Sequence, residues 1–171
     1  VALVGRSNVG KSSLLNALTG RKRLVHISRT PGKTRTCNVF DVAGRYYLVD
    51  LPGYGYGALP KTARVALGRL LTAYLMGHAP AGVVWLLDTR RDPSPDDVAM
   101  GLLLAERRLL VLVALTKADK VRRSQRRGRR DIIRAALGVD VPGERCVFTS
   151  ARTGEGIVEL REAIERLVGG A

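Results

Sequence analysis

Gly5-Arg6-Ser7-Asn8-Val9-Gly10-Lys11-Ser12 follows a short apolar run, Val1 to Val4, and leads into Ser13-Leu14-Leu15-Asn16-Ala17-Leu18, which reads as an amphipathic helix. Strand, glycine-bounded loop and helix, in that order, are the setting in which a G-x-x-x-x-G-K-S/T loop cradles a polyphosphate. Gly5 and Gly10 let the backbone curl so that its N–H groups point at phosphate oxygens, and the helix N-terminus adds positive potential. Lys11 can reach the β- and γ-phosphates, and the Ser12 hydroxyl can ligate Mg²⁺. Arg6, Ser7, Asn8, Val9 and Ser13 complete the expected nucleotide-binding set. The stretch predicts binding of a nucleoside triphosphate.

Working outward, apolar β-type runs alternate with helix-period stretches, the pattern of a mainly parallel sheet wrapped by helices. A basic segment, Arg21-Lys22-Arg23 to Arg35, follows the first helix, and its Pro31-Gly32 marks a loop. Thr36 to Val42 and Arg45 to Val49 flank Ala43-Gly44 and read as a hairpin. Helices are expected over Thr62 to Met76, with Val65 or Ala66, Leu67, Leu70, Leu71 and Tyr74 at helical spacing, and over Asp96 to Arg108. A charged helix should run to about Leu137, and in the closing one Ile157, Leu160, Ile164 and Leu167 share a face. Strands are expected over Val83 to Leu87, Leu109 to Leu115 and Arg145 to Phe148. The result is an α/β fold of six strands with helices on both faces, the hairpin strand antiparallel to the rest.

The chain has 171 residues, 46% of them hydrophobic, which suits one domain with a proper core. No run of 18 apolar residues appears, so no membrane span is expected. No signal peptide is legible, and because the chain starts inside its first strand, a preceding N-terminal segment is expected. Cys37 and Cys146 are too few for a disulfide framework or a zinc site and read as reduced thiols of a cytoplasmic protein. His26 and His78 are solitary and read as surface residues. The net charge of +14 exceeds what nucleotide binding needs, so the surplus faces solvent or a polyanion, most simply nucleic acid. An arginine-rich codon bias would explain Arg over Lys, but not the positive excess.

Further motifs fall where open α/β sheets bind ligands, beyond the carboxyl ends of strands. Asp50-Leu51-Pro52-Gly53 ends the second hairpin strand. Asp50 can hold Mg²⁺ through water, and the Gly53 N–H can touch a γ-phosphate. Thr116-Lys117-Ala118-Asp119 follows another strand. A carboxylate there can accept from guanine N1–H and the exocyclic amine, whereas adenine has no matching donor pair and would leave Asp119 desolvated and unpaired. The Lys117 stem can lie along the base or brace the phosphate loop. Thr149-Ser150-Ala151, after Phe148, would add backbone contacts to the base edge.

Together these motifs, with Thr30-Pro31-Gly32-Lys33-Thr34-Arg35-Thr36 and the continuation Tyr54-Gly55-Tyr56-Gly57, resemble the EngB family of TRAFAC-class GTPases, which assist bacterial ribosome assembly. The resemblance runs almost end to end and includes Tyr74-Leu75 and Asp88-Thr89-Arg90. It implies a single Ras-like G domain over residues 1–171 that binds GTP and GDP with Mg²⁺ and associates with rRNA and proteins of the large ribosomal subunit precursor as a monomer. By motif match Ser12 and Thr34 become Mg²⁺ ligands, Lys11, Thr34 and Gly53 act on the γ-phosphate, and Pro31, Gly32, Lys33, Thr34 and Arg35 belong to the first switch. Gly53 and the loop to about Pro60 become the second. Two departures stand out. The sequence opens inside the first strand, where the family carries an N-terminal extension, and Tyr54 stands where Ras-type enzymes carry a water-orienting Gln, so hydrolysis should be slow unless another group supplies charge.

Arg122, Arg123, Arg126, Arg127, Arg129 and Arg130 place six arginines in nine residues with no acid among them. The run reads as an RNA contact or as a solvated helix face; Arg21-Lys22-Arg23 is a weaker patch. Asn8 offers a neutral side-chain oxygen of the kind K⁺ accepts, as in K⁺-activated relatives of the class, or it merely stabilises the turn. The expected output is a GTP-dependent switch in large-subunit assembly. The rival reading is an RNA-bound assembly factor that uses GTP only as an ordering ligand. An ATP-dependent enzyme of the same fold is disfavoured by Asp119.

Overall fold

The computed structural model describes residues 1–20, 37–55, 60–78, 80–137 and 140–170. Six strands form one sheet: β1 (Ala2–Gly5), β2 (Asn38–Val42), β3 (Tyr46–Asp50), β4 (Val83–Asp88), β5 (Val111–Thr116) and β6 (Cys146–Phe148). Their spatial order is β2-β3-β1-β4-β5-β6, and β2 alone among them pairs antiparallel. The helices are α1 (Lys11–Thr19), α2 (Lys61–Gly77), α3 (Pro95–Glu106), α4 (Arg123–Ala136) and α5 (Ile157–Val168).

Side-chain alternation divides the core. Val83, Trp85 and Leu87 of β4 face a layer that includes Leu71 and Leu75 of α2, Met100 and Leu104 of α3, and Ile133 of α4. Val84 and Leu86 of the same strand face Leu14, Leu15 and Leu18 of α1 and Ile157, Leu160 and Ile164 of α5. Both faces are covered, which is why the central strands are continuous apolar runs. At the β2 edge the alternation returns, with Phe40 buried and Asp41 exposed. Arg161 of α5 donates to Ala17 O and Leu18 O, closing the carboxyl end of α1 with a cation where the helix dipole favours one.

Differences from the sequence reading sit at element ends. The α2 stripe is Leu67, Leu71 and Leu75, while Val65 is 47% exposed. Ser94 caps α3 in a reciprocal capping box with Asp97, with Pro95 in the first turn, so the helix starts before Asp96. It stops at Glu106 because Arg108 takes φ 51°, and β5 begins only at Val111. Arg145 closes a 3₁₀ turn, leaving β6 three residues long. His78 is exposed and stacks on Tyr74, ring centroids 4.6 Å apart; His26 lies outside the described residues. No helix among the described residues is long and apolar enough to cross a membrane.

Gly156 caps the start of α5 at φ 71°, where a Cβ would sit 1.9 Å from Phe148 O. Gly156→Ala should therefore lower unfolding free energy by about 3 kcal/mol or more. Gly128 lies inside α4, where an added methyl group would meet nothing within 4 Å. Its replacement by Ala should instead gain about 0.5–1 kcal/mol. Urea titration of both variants checks the contrast.

Candidate functional site

The strand order reverses at β1, whose neighbours β3 and β4 both run parallel to it. The loop leaving β1 therefore opens at the switch point, where open α/β sheets hold ligands. Gly5 permits close packing, since a Cβ there would lie 3.0 Å from Leu86 and Val9 side chains. Ser7 N donates to Tyr54 O at 2.9 Å and Tyr54 N to Gly5 O at 3.3 Å, so the loop's first limb extends the sheet. Asn8 turns the chain at φ 63° and Gly10 at φ 104°, and α1 begins at Lys11. Gly10 brings no side chain to the first-turn N–H groups, and that turn holds no acid, leaving the helix start suited to an anion. Lys11 Nζ pairs with Asp50, the last residue of β3, and Ser12 is exposed beside it.

The loop after β5 is tied to this one. Thr116 Oγ1 lies 2.8 Å from Val9 O and 3.1 Å from Leu87 O. Lys117, at φ 59°, donates from Nζ to Asn8 O at 2.8 Å and meets Asp88 Oδ2 at 3.0 Å. Lys117 Nζ thus ties the loop after β5 to the loop after β1. Burial disfavours the charged form of Asp88, but hydrogen bonds from Arg90 and Lys117 outweigh it and hold its carboxyl well below the usual range. Asp119 accepts from Ser150 Oγ at 2.8 Å and from Arg152 Nε at 3.0 Å. The Ser150 bond, opposed by partial desolvation and aided by Arg152, keeps its carboxyl below the usual range. Ala118 N donates to Thr149 O, and Thr149 N to Leu115 O, so the loops after β5 and β6 run side by side. A cavity of about 210 Å³ lies between Gly10, Lys117, Asp119, Ser150, Ala151 and Arg152. A larger one, about 460 Å³, lies across the phosphate loop among Arg6, Asp88, Asp92 and Asp97, and Asp119 does not border it. The smaller cavity is the one enclosed by the base-side motifs.

The Tyr54 side chain turns into the core layer. Its hydroxyl donates to Asp97 Oδ1 and accepts from Trp85 Nε1, both at 2.7 Å. Burial and the Asp97 charge push its ionisation far up, so the phenol stays neutral and held in the core layer. Leu51 is buried and Leu51 N donates to Leu3 O, which directs Pro52 and Gly53 along the same rim. Pro31, Gly32, Lys33, Thr34, Arg35 and the Arg21-Lys22-Arg23 patch lie outside the described residues. Cys37 and Cys146 are free thiols, and burial raises the pKa of each.

The arginine run separates into two sets. Arg126 donates to Ala118 O, Val121 O and Glu155, and Arg129 to Thr89 O and Asp92, so both are internal struts. Arg130 is half-buried beside Asp131. Arg122, Arg123 and Arg127 are exposed. Local spacing could not tell the sets apart, because Asp92 is 37 residues from Arg129 and Glu155 is 29 from Arg126. Arg152 and Asp88 escape a reading of the sequence as site residues for the same reason: each acts through a neighbour supplied by another strand end.

No group of three or more His, Cys, Asp or Glu among the described residues could hold a metal. What the rim offers is a hydroxyl, Ser12, and a carboxylate, Asp50, an oxygen donor pair of the hard type that suits Mg²⁺ once phosphate oxygens join it.

Comparison with known proteins agrees with this geometry. The family described as 50S ribosome-binding GTPase matches residues 1–117. A probable GTP-binding protein EngB of Pelotomaculum thermopropionicum is 48% identical over 170 residues, covering 99% of this chain and 85% of that protein. The probable EngB of Gemmatimonas aurantiaca is 45% identical over 170 residues, covering 98% and 82%. Among solved structures, a probable GTP-binding protein EngB superposes with a TM-score of 0.80 at 25% identity, over 98% of this chain and 97% of that one. Phosphate loop, base-side aspartate and sheet order thus stand in one molecule with relatives along its whole length, and the chain belongs to the EngB family of GTPases.

Proposed function

We propose that this GTPase hydrolyses GTP slowly, with Mg²⁺, and serves as a nucleotide-dependent switch in assembly of the large ribosomal subunit. The observation that carries the nucleotide part is Asp119, oriented by Ser150 at the mouth of a cavity bordered by Gly10 and Lys117. Guanine would donate N1–H and its amine to that carboxylate, with the Ser150-Ala151 backbone along the base edge. The loop N–H groups from Asn8 to Ser13 would cradle the phosphates, and Lys11 would turn from Asp50 to them. Ser12 and Thr34 would hold Mg²⁺, with Asp50 behind it through water, and the ion supplies charge neutralisation at the transferring phosphate. Gly53 N–H would meet the γ-phosphate. Locked against Trp85 and Asp97, Tyr54 leaves no side chain at that point to orient water, which supports slow turnover. The same observation favours the second reading, an assembly factor for which GTP is chiefly an ordering ligand. Single-turnover hydrolysis with and without large subunits separates the two.

Asp119→Asn should weaken GTP binding roughly a hundredfold or more and improve relative affinity for xanthosine nucleotides, whose C2 oxygen suits an amide donor. Titration with fluorescent nucleotides checks it, and unchanged GTP affinity would remove Asp119 from the site.

Ribosome association is supported by the family and by the exposed arginines of α4. Replacing Arg122, Arg123 and Arg127 with Gln should flatten the salt dependence of subunit binding, by about 0.9 of log–log slope for each duplex phosphate that no longer meets an arginine. GTP binding should not change. Subunit co-sedimentation across a salt series measures this, and parental binding by the triple variant would make that face a solvated one.

We further propose that K⁺ at Asn8 supplies charge that Tyr54 cannot. The left-handed backbone of Asn8, φ 63°, serves the turn, leaving the exposed side-chain oxygen available. Hydrolysis should be faster in K⁺ than in Na⁺ at equal ionic strength, with the difference lost in Asn8→Ala. Equal parental rates in the two salts would sink the idea.

A further inference from the structure

One arginine of the basic run has contacts that all lead to the base side of the site. Arg126 lies in the first turn of α4 with its side chain turned inward, 13% exposed. Nη2 donates to Ala118 O at 2.7 Å and Nε to Val121 O at 3.2 Å, the carbonyls on either side of the turn that presents Asp119. Nη1 and Nη2 donate to Glu155 Oε1 and Oε2 at 2.5 and 3.2 Å, and the guanidinium lies 5.8 Å from the centroid of the Phe148 ring. Glu155 O in turn accepts from Ser150 N at 2.9 Å, and Ser150 Oγ donates to Asp119. A closed circuit results: Asp119, Ser150, Glu155, Arg126 and Ala118, the residue next to Asp119.

The circuit matters because the two base-side loops leave different strands. β5 and β6 pair over three residues only, ending at Leu115 with Phe148, where the loops begin. Past Phe148, Thr149 N donates to Leu115 O and Ala118 N to Thr149 O, and both backbone bonds converge on Thr149 without reaching Asp119 or Ser150. Reading guanine by two parallel hydrogen bonds needs the carboxylate and the Ser150-Ala151 backbone held at a set spacing, to about half an ångström. A planar fork with five donors can grip two carbonyls and a carboxylate at once, which an ammonium cannot.

We propose that Arg126 is a positioning residue for base recognition: with Glu155 it clamps the loop carrying Asp119 to the loop carrying Ser150 and Ala151. This rests on the reading of Asp119 as the guanine-binding carboxylate. The clamp also explains why an arginine occupies the first turn of a helix, where the dipole disfavours cations: its charge is matched by Glu155 rather than by solvent.

The preference for GDP over IDP isolates the exocyclic amine, the group whose hydrogen bond depends on that spacing. Arg126→Gln and Glu155→Ala should each lower the GDP-to-IDP affinity ratio roughly tenfold, with kcat at saturating GTP unchanged and KM raised. Glu155→Gln, which keeps an acceptor, should lose less than Glu155→Ala. A merely structural role would lower thermal stability without touching the ratio. Glu155→Ala, cut from a half-buried position, covers the case in which Arg126→Gln does not fold. A folded variant of either kind with the parental ratio overturns the clamp alone. A parent without preference for GDP over IDP, or an Asp119→Asn variant with parental GDP affinity, overturns the base-reading role and the clamp with it.

Discussion

β1 is flanked on both sides by parallel neighbours and covered on both faces, and the site depends on that constraint. Ala2, Leu3 and Val4 are fully buried, so the strand cannot shift without opening both core layers. Its carboxyl end is therefore a fixed point from which the phosphate loop must turn immediately. The turn is made by Gly5, where a side chain would collide with Leu86, and by the left-handed positions Asn8 and Gly10. Because α1 starts at once after Gly10 and its inner face packs through Leu14, Leu15 and Leu18, the helix N-terminus is aimed by the core rather than by the loop. The suitability of this helix start for an anion is thus a consequence of packing direction.

A second layer of order comes from charges that neutralise one another across strand ends. Lys117 joins Asp88 to the phosphate loop, Lys11 joins Asp50, and Arg152 joins Asp119. Each pair links loops from different strands, so the polar rim is cross-braced before nucleotide arrives. A pair with one partner in solvent, as Arg152 is, contributes little to stability. The value of all three is geometric, in pointing acceptors and donors into the site.

Beneath the rim, Asp97 is a buried acid, 3% exposed. Ser94 N, Ser94 Oγ and the Tyr54 hydroxyl all donate to it, and Arg6 Nη1 stands 4.0 Å away. A buried carboxylate is tolerable only when so satisfied. One acid therefore caps α3, anchors the residue that follows Gly53 and faces the second residue of the phosphate loop. Tyr54 is conspicuous in the sequence as a missing glutamine; in the fold it is a tether between the end of the third-strand loop and α3.

Local periodicity and motif spacing were sufficient for the order of strands and helices, the single antiparallel strand, and the gathering of Gly5–Ser12, Asp50, Asp119 and Ser150 on one rim. These depend on short-range patterns: apolar runs where both sheet faces are covered, glycines where the backbone must turn, an aspartate after a strand. The ends of α3 and the start of β5 were less legible, since a capping box and a left-handed arginine decide them by hydrogen bonding and backbone conformation rather than by hydrophobic period. The arginine run marks the limit. Composition alone shows six equivalent cations, and a charge's role is set by what lies opposite it. Only the tertiary structure brings Glu155 to Arg126, Asp92 and Thr89 to Arg129, and leaves Arg122, Arg123 and Arg127 to solvent, because those partners come from loops distant in sequence that the sheet places side by side.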